Sequence, residues 1–382
     1  RAGFNGPHLE GADAMRRLTS RSDDRGAVIV LVAILLAAGV LSGLLAIVVD
    51  LGRVYAERRV VQNGADAASL ALAQHCAYKD SDCTDNPHAT AAAQVLANAN
   101  APDAMTAVTE VCGGSPLAQC LTQSTKWNDC QPVSATYTHY ARVRTETQST
   151  GGGHYFLPIF ANLMSSGEGQ HLAATACSQT AWGPAASTLD TFPILLPICP
   201  GIPGGPPVVI TRFDSSSPAR EWTDCVVDGV TYSQVTAGFS WTRLPGQTQL
   251  CVTPTTVHIG DVLSNYTSDP TACGSGQQTD DTLKALVDGG NATVVPVVGG
   301  HTRSGLGNYE FTVVAFKAFT LLGFKVQGTG TYGQTPSGGW SAYTNCSKGS
   351  DSCLYGSFTN VVDPGDIGGD IDLGVKSIKL IP

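Results

Sequence analysis

Residues 26–49 read GAVIVLVAILLAAGVLSGLLAIVV, 24 residues without a charged side chain. At about 1.5 Å rise per residue, a helix of that length reaches about 36 Å, more than the roughly 30 Å hydrocarbon core of a bilayer. A cleaved secretory leader has an apolar region of roughly 7–15 residues and leaves through a small-x-small site. This run is longer and leaves through Ile47-Val48-Val49-Asp50, so the expectation is an uncleaved anchor with membrane lipid as its surroundings. Arg16, Arg17, Arg21 and Arg25 crowd its N-terminal edge, while Arg53, Arg58 and Arg59 follow its C-terminal end. With the cysteine placement below, that bias favours a single-pass protein of the cell membrane, N-terminus cytoplasmic and the rest extracytoplasmic. Met15 is the expected native start.

Twelve cysteines follow the run: Cys76, Cys83, Cys112, Cys120, Cys130, Cys177, Cys199, Cys225, Cys251, Cys273, Cys346 and Cys353. None is spaced as Cys-x-x-Cys, which leaves structural disulfides in an oxidising compartment. Proximity suggests pairing each cysteine with the next in that order. Charged residues make up 14% of the chain, well below the usual share of about a quarter. The net charge of −9 comes from the part after the run. No basic stripe is present there, which argues against a nucleic-acid partner.

The expected class is α+β. Residues 1–25 form a cytoplasmic tail and 26–49 the transmembrane helix; 50–184 form a membrane-proximal helix-plus-sheet region and 185–382 a β-rich distal domain with disulfides. The anchor continues as an Ala-rich exported helix to about Tyr78, supported by Asp50–Arg53 and Arg53–Glu57 at i,i+3 and i,i+4. Within Val60–Ala73, Gly64 is the one costly residue, by about 1 kcal/mol against Ala. A second helix is expected from Pro87 to about Asn100, with Pro in its first turn. Strands are expected within 133–147, 171–182, 208–211, 226–235, 250–253 and 293–298. An apolar stretch at 154–163, broken by Pro158, lies among them. The Pro- and Gly-rich 183–207 reads as a boundary or irregular crossover. Residues 311–327, apolar on both faces, should form a central buried strand or pair, with a bulge or bend at Gly323.

Several stretches taken together resemble the N-terminal region of TadG-like Flp pilus-assembly (tight adherence) membrane proteins. They are Arg25-Gly26-Ala27-Val28, the apolar helix, Asp50-Leu51-Gly52-Arg53-Val54-Tyr55 and Gln62-Asn63-Gly64-Ala65-Asp66-Ala67-Ala68. Gly64 stands where the family usually has Ala. Downstream, Leu172-Ala173-Ala174-Thr175-Ala176, Gly238-Phe239-Ser240-Trp241 and Cys353-Leu354-Tyr355-Gly356-Ser357-Phe358 look like actinobacterial members. The resemblance implies a part in the pilus or secretion machinery. Leu31 stands where pilin-type substrates of the prepilin peptidase carry Glu, which speaks against filament formation. Asp214-Ser215-Ser216-Ser217-Pro218 departs from the metal-site motif of longer relatives at its last residue.

Signs of catalysis are missing from the sequence. Gly328-Thr329-Gly330-Thr331-Tyr332-Gly333 is followed by Gln334-Thr335-Pro336, a poor helix start, so it reads as a turn and not a phosphate cradle. The eight histidines show no metal-ligand spacing. Asp363, Asp366, Asp370 and Asp372 lie in a Gly-rich loop read as solvated, with calcium as the lesser alternative. No enzyme activity, cofactor or metal is expected. The candidate contacts are instead small residues: Gly39 and Gly43 inside the span, and Ala65 and Ser69 on the exported helix. Small residues at such spacing let another helix approach closely; the expected partner is another pilus-assembly or pilin-like membrane protein. The competing reading of the second pair is that it lies on the protein's own sheet. The function expected is a membrane-anchored, non-enzymatic component of a Flp/Tad-type pilus assembly or secretion apparatus. The alternative is a surface-exposed ligand- or cell-wall-binding module anchored by one helix, for which exposed aromatics on the distal part would be the sign.

Overall fold

The computed structural model of the protein describes residues 24–78, 83, 86–102, 104–120, 130–149, 151–153, 172–199, 203–213, 222–227, 229–236, 238–245, 255–266, 276–304, 308–328, 330–343 and 345–382. The stretches expected at 154–163 and 250–253, the Asp214–Pro218 motif and the pair Cys251 and Cys273 lie outside these residues.

Helix α1 runs unbroken from Asp24 to Tyr78, 55 residues, and α2 from Asn86 to Ala99. Both cover one face of a five-stranded sheet ordered β1-β2-β3-β17-β16. Its strands are β1 (Thr106–Gly113), β2 (Tyr140–Thr147), β3 (Thr175–Pro184), β16 (Val361–Asp363) and β17 (Val375–Ile381). Neighbours are antiparallel except β16 and β17, which are parallel. The sheet therefore joins strands of residues 106–184 to strands of residues 361–381, with β17 paired along β3 from Lys376↔Pro184 to Ile381↔Gln179. Val61, Ala65, Ala68 and Leu72, spaced three or four residues apart, put one helical stripe on this sheet, and all are buried. Because most of that stripe is alanine, the helix axis sits close enough for short side chains to bridge to the strands.

The remaining strands form a larger sheet along the path β11-β9-β5-β12-β13-β15-β6. These are β5 (Ile194–Pro197), β6 (Val208–Thr211), β9 (Ser240–Thr242), β11 (Val262–Tyr266), β12 (Thr293–Ser304), β13 (Asn308–Val326) and β15 (Cys353–Thr359). Strand β14 (Gly330–Gly333) pairs with the end of β13. Because β11 also pairs with β13, strands β11, β9, β5, β12 and β13 close into a ring. Strand β13, 19 residues long, is the central strand expected from its two apolar faces. Its register shifts between Leu321 and Gly323, where a Cβ on Gly323 would stand 2.0 Å from the Gln334 carbonyl oxygen. Only glycine admits that approach. The Pro-rich 183–207 is more ordered than an irregular crossover, for it contains β4 (Ser187–Thr188), paired with β10 (Val257–His258), and the buried β5. A helix not anticipated in this β-rich part, α3 (Gly276–Gly289), seats Leu283 in the core with Phe239, Trp241, Phe319 and Phe324. The hairpin β7 (Trp222–Val227) and β8 (Val230–Thr236) is tied on by Cys199–Cys225.

Disulfides join Cys76–Cys83, Cys112–Cys120, Cys130–Cys177, Cys199–Cys225 and Cys346–Cys353. Four of the five close loops of 7 to 26 residues; Cys130–Cys177 ties the stretch before β2 to β3, 47 residues apart.

Candidate functional site

Helix α1 lives in two environments. From Val28 to Val40 every side chain is exposed, with Ile29 at 68% and Leu36 at 65%. This part has a mean hydropathy of 2.9 over its best 18 residues, none of that window buried inside the protein, and is long and apolar enough to cross a membrane. A soluble surface does not sustain such a patch, because exposing apolar area costs about 25 cal/mol per Å². Gly39 is exposed and Gly43 half-buried, each with nothing within 4 Å of where a Cβ would be. Exposed apolar side chains continue past Asp50 through Leu51 and Tyr55. At Val61 the helix becomes a core element.

The structure places Ala65 and Ser69 inside the protein's own core, not on a free helix face. Ala65 packs with Val61, Ala174 and Ala176. The Ser69 hydroxyl lies 2.9 Å from the Ser178 hydroxyl and 2.8 Å from that of Thr180, all buried. Thr145 donates its hydroxyl to the Val61 carbonyl at 2.7 Å, and Gln62 donates to the Cys177 carbonyl at 3.3 Å. The small-residue stripe thus splits by depth: Gly39 and Gly43 are open, whereas Ala65 and Ser69 are spent on the sheet. The strand hydroxyls that receive Ser69 carry no signal in the sequence, since alternating Thr and Ser is ordinary strand composition.

Gly64 has its own reason. A Cβ there would stand 3.3 Å from the Ala97 carbonyl oxygen and 3.6 Å from the Ala97 Cβ, so the glycine marks where α1 and α2 cross at contact distance. The far end of α1 is clamped by the returning chain. Lys376 donates to the Ala77 carbonyl at 2.7 Å and pairs with Asp372 at 3.2 Å, while the Val362 amide donates to the Tyr78 hydroxyl at 3.2 Å.

The acidic loop spends its oxygens locally. Asp363 accepts from the Gly365 and Leu189 amides; burial raises its pKa, these two hydrogen bonds lower it, and nearby Asp190 raises it. Asp366 lies 3.6 Å from Lys379. Among the described residues, no three His, Cys, Asp or Glu side chains are grouped to hold a metal. Gly330–Gly333 is a strand of the β13–β14 hairpin, so the Gly-rich motif faces no helix N-terminus.

Residues 26–75 match the family model described as Flp pilus-assembly TadE/G-like. Residues 26–75 are a TadE/G-like segment. No curated protein and no solved structure matches the chain. The TadE/G-like segment begins at the first apolar residue of the run and ends one residue before Cys76. It therefore takes in both the exposed apolar part and the buried alanine stripe as one unit. The similarity to Flp pilus-assembly proteins thus rests on α1, and the strands packed on it lie outside the matched residues.

Proposed function

We propose that the chain is a membrane-anchored, non-enzymatic component of a Flp/Tad-type pilus assembly or secretion apparatus. Residues 26–49 span the cell membrane, the N-terminus is cytoplasmic, and the sheets stand on the extracytoplasmic side. The observation that carries this reading is the exposed apolar stretch of α1 inside a TadE/G-like segment whose other half is folded into the protein's own core. One rigid helix then links the bilayer to the exported part. Five disulfides on one side of the span support the orientation, since they persist in an oxidising compartment. Gly39 and Gly43, which remain open after folding, are the proposed contact with a second helix of the same assembly. The described aromatic side chains of 185–382 are buried or half-buried, so the ligand-binding alternative gains nothing from them.

The test uses the host cell. A tag after Pro382 should be cut by external protease in cells with a permeable wall, while a tag before Met15 is protected. Deleting the gene should abolish surface pili or secretion, and Gly39→Leu with Gly43→Leu should do the same at normal protein level. Normal pili in the deletion strain, or a protected C-terminal tag, would refute the reading.

A further inference from the structure

The five-stranded sheet ends in two edges, β1 and β16, and an unpaired edge is a template for strand addition. At β1 four outward backbone groups are already taken by amide side chains of α2. Gln94 bonds twice, its Nε2 donating to the Thr106 carbonyl at 2.5 Å and its Oε1 accepting from the Val108 amide at 2.8 Å. That is the pattern a sixth strand would present. Asn98 Oδ1 accepts from the Thr106 amide at 3.2 Å. Asn86 Nδ2 donates to the Val111 carbonyl at 2.9 Å, and its Oδ1 accepts from the Ala118 amide at 2.9 Å. These three residues are spaced eight and four apart, along one side of α2. Adjacent to that side, Ala89, Ala93 and Ala97 are buried, so the helix is held where its amides reach round the edge. At the other edge, the Val362 amide of β16 donates to Tyr78 of α1.

We propose that α2 is an edge guard, and that the β1 edge is a strand-docking surface whose occupant in this chain is the amide row Asn86, Gln94 and Asn98. The strand it excludes is the β1 of a second copy, because an antiparallel β1–β1 pair would satisfy the same outward groups with two-fold symmetry. Two copies brought together would otherwise meet at this edge, and the amide row keeps it closed. The inference stands on the sheet alone and does not require the proposed role in pilus assembly.

The test is photocrosslinking of the full chain in detergent, with a benzophenone amino acid replacing the exposed Thr109 of β1. Gln94→Met with Asn98→Leu removes three of the edge bonds at similar side-chain volume. A crosslinked dimer, mapped by mass spectrometry to residues 106–113 of both copies, should increase at least severalfold over the unaltered guard. Adding Val108→Pro, which deletes an outward N–H, should return it to the starting level. Equal crosslinking with and without the guard, at matching circular dichroism, would overturn the proposal. If the double variant loses helix content, Gln94→Ala alone supplies the comparison, since alanine suits the helix; no rise in β1–β1 crosslinks there would overturn it equally.

Discussion

Replacing Lys317 by Met should stabilise the protein at neutral pH and remove a pH dependence on the alkaline side. Lys317 sits in the middle of β13 with no exposed surface. Its ammonium reaches the Ile198 carbonyl at 3.1 Å and lies 5.0 Å from the centre of the Phe358 ring. Burial nonetheless lowers its pKa from 10.5 to about 8. A cation whose pKa is depressed on folding leaves the folded state with fewer bound protons than the unfolded state between those two values. Stability therefore rises with pH across about pH 8 to 10.5, and below pH 8 the full cost of burying the charge is present. That cost is about 3 kcal/mol at 1.36 kcal/mol per pKa unit. Met removes it and forfeits a hydrogen bond worth about 1 kcal/mol, for a net gain of about 2 kcal/mol at pH 7. Between pH 7 and pH 10 the wild type should recover about 2.5 kcal/mol relative to the variant. The assay is thermal or denaturant unfolding of both proteins in the same detergent at each pH; the difference between them cancels every other titrating group. If the two curves run parallel from pH 7 to pH 10, Lys317 is not buried as a strained cation and the reasoning fails.

Three further outcomes follow from α1 and the returning chain. Gly64→Leu should lower stability by about 1–3 kcal/mol by pushing α2 away at Ala97, seen as a lower Tm with membrane insertion unchanged; an unaltered Tm would show the crossing is loose. Ser69→Ala leaves Ser178 and Thr180 without their shared partner and should cost about 1–3 kcal/mol, whereas a neutral result would mean the strand hydroxyls satisfy each other. Asp363 has a raised carboxyl pKa, so it favours the folded state most at low pH, and that contribution is lost as pH rises through its folded value. Asp363→Asn should therefore flatten the acid side of the stability profile while keeping an acceptor for Leu189 and Gly365; an unchanged profile would refute the assignment.

The long apolar helix is legible because its signal is one-dimensional: 24 residues without a charge state their own length. The course of α2 and the irregularity of β13 beside Gly323 are legible for a similar local reason, proline at a helix start and glycine in an overlong strand. What was not legible is pairing between distant segments. Nothing in Val375–Ile381 says that it lies against Thr175–Pro184, because an alternating strand fits any sheet with a free edge. The amphipathic α3 was masked by its Thr- and Gly-rich flanks. Ala65 and Ser69 show the same limit in sharper form. Small residues every four positions fit a neighbouring helix and a neighbouring sheet equally well, and only the hydroxyls of Ser178 and Thr180, more than a hundred residues away, decide between them.

That decision changes what the helix can do. A helix with open small residues along its whole length could slide or rotate against a partner. With Ala65 and Ser69 buried, Gly64 wedged on α2 and the end held by Cys76–Cys83 and Lys376, the upper half of α1 is fixed to the sheet. The apolar 26–49 belongs to the same unbroken helix, so its azimuth relative to the sheets is fixed as well. A partner packed on Gly39 and Gly43 would then meet the sheets at one orientation. The position of β3 and β17 as adjacent strands adds to this: the chain leaves for the larger sheet at Pro184 and returns at Val361, beside the helix end that bears the clamp. Tilt or rotation imposed on α1 within the membrane would be passed to both connections of the larger sheet together, since no flexible linker intervenes among the described residues of α1.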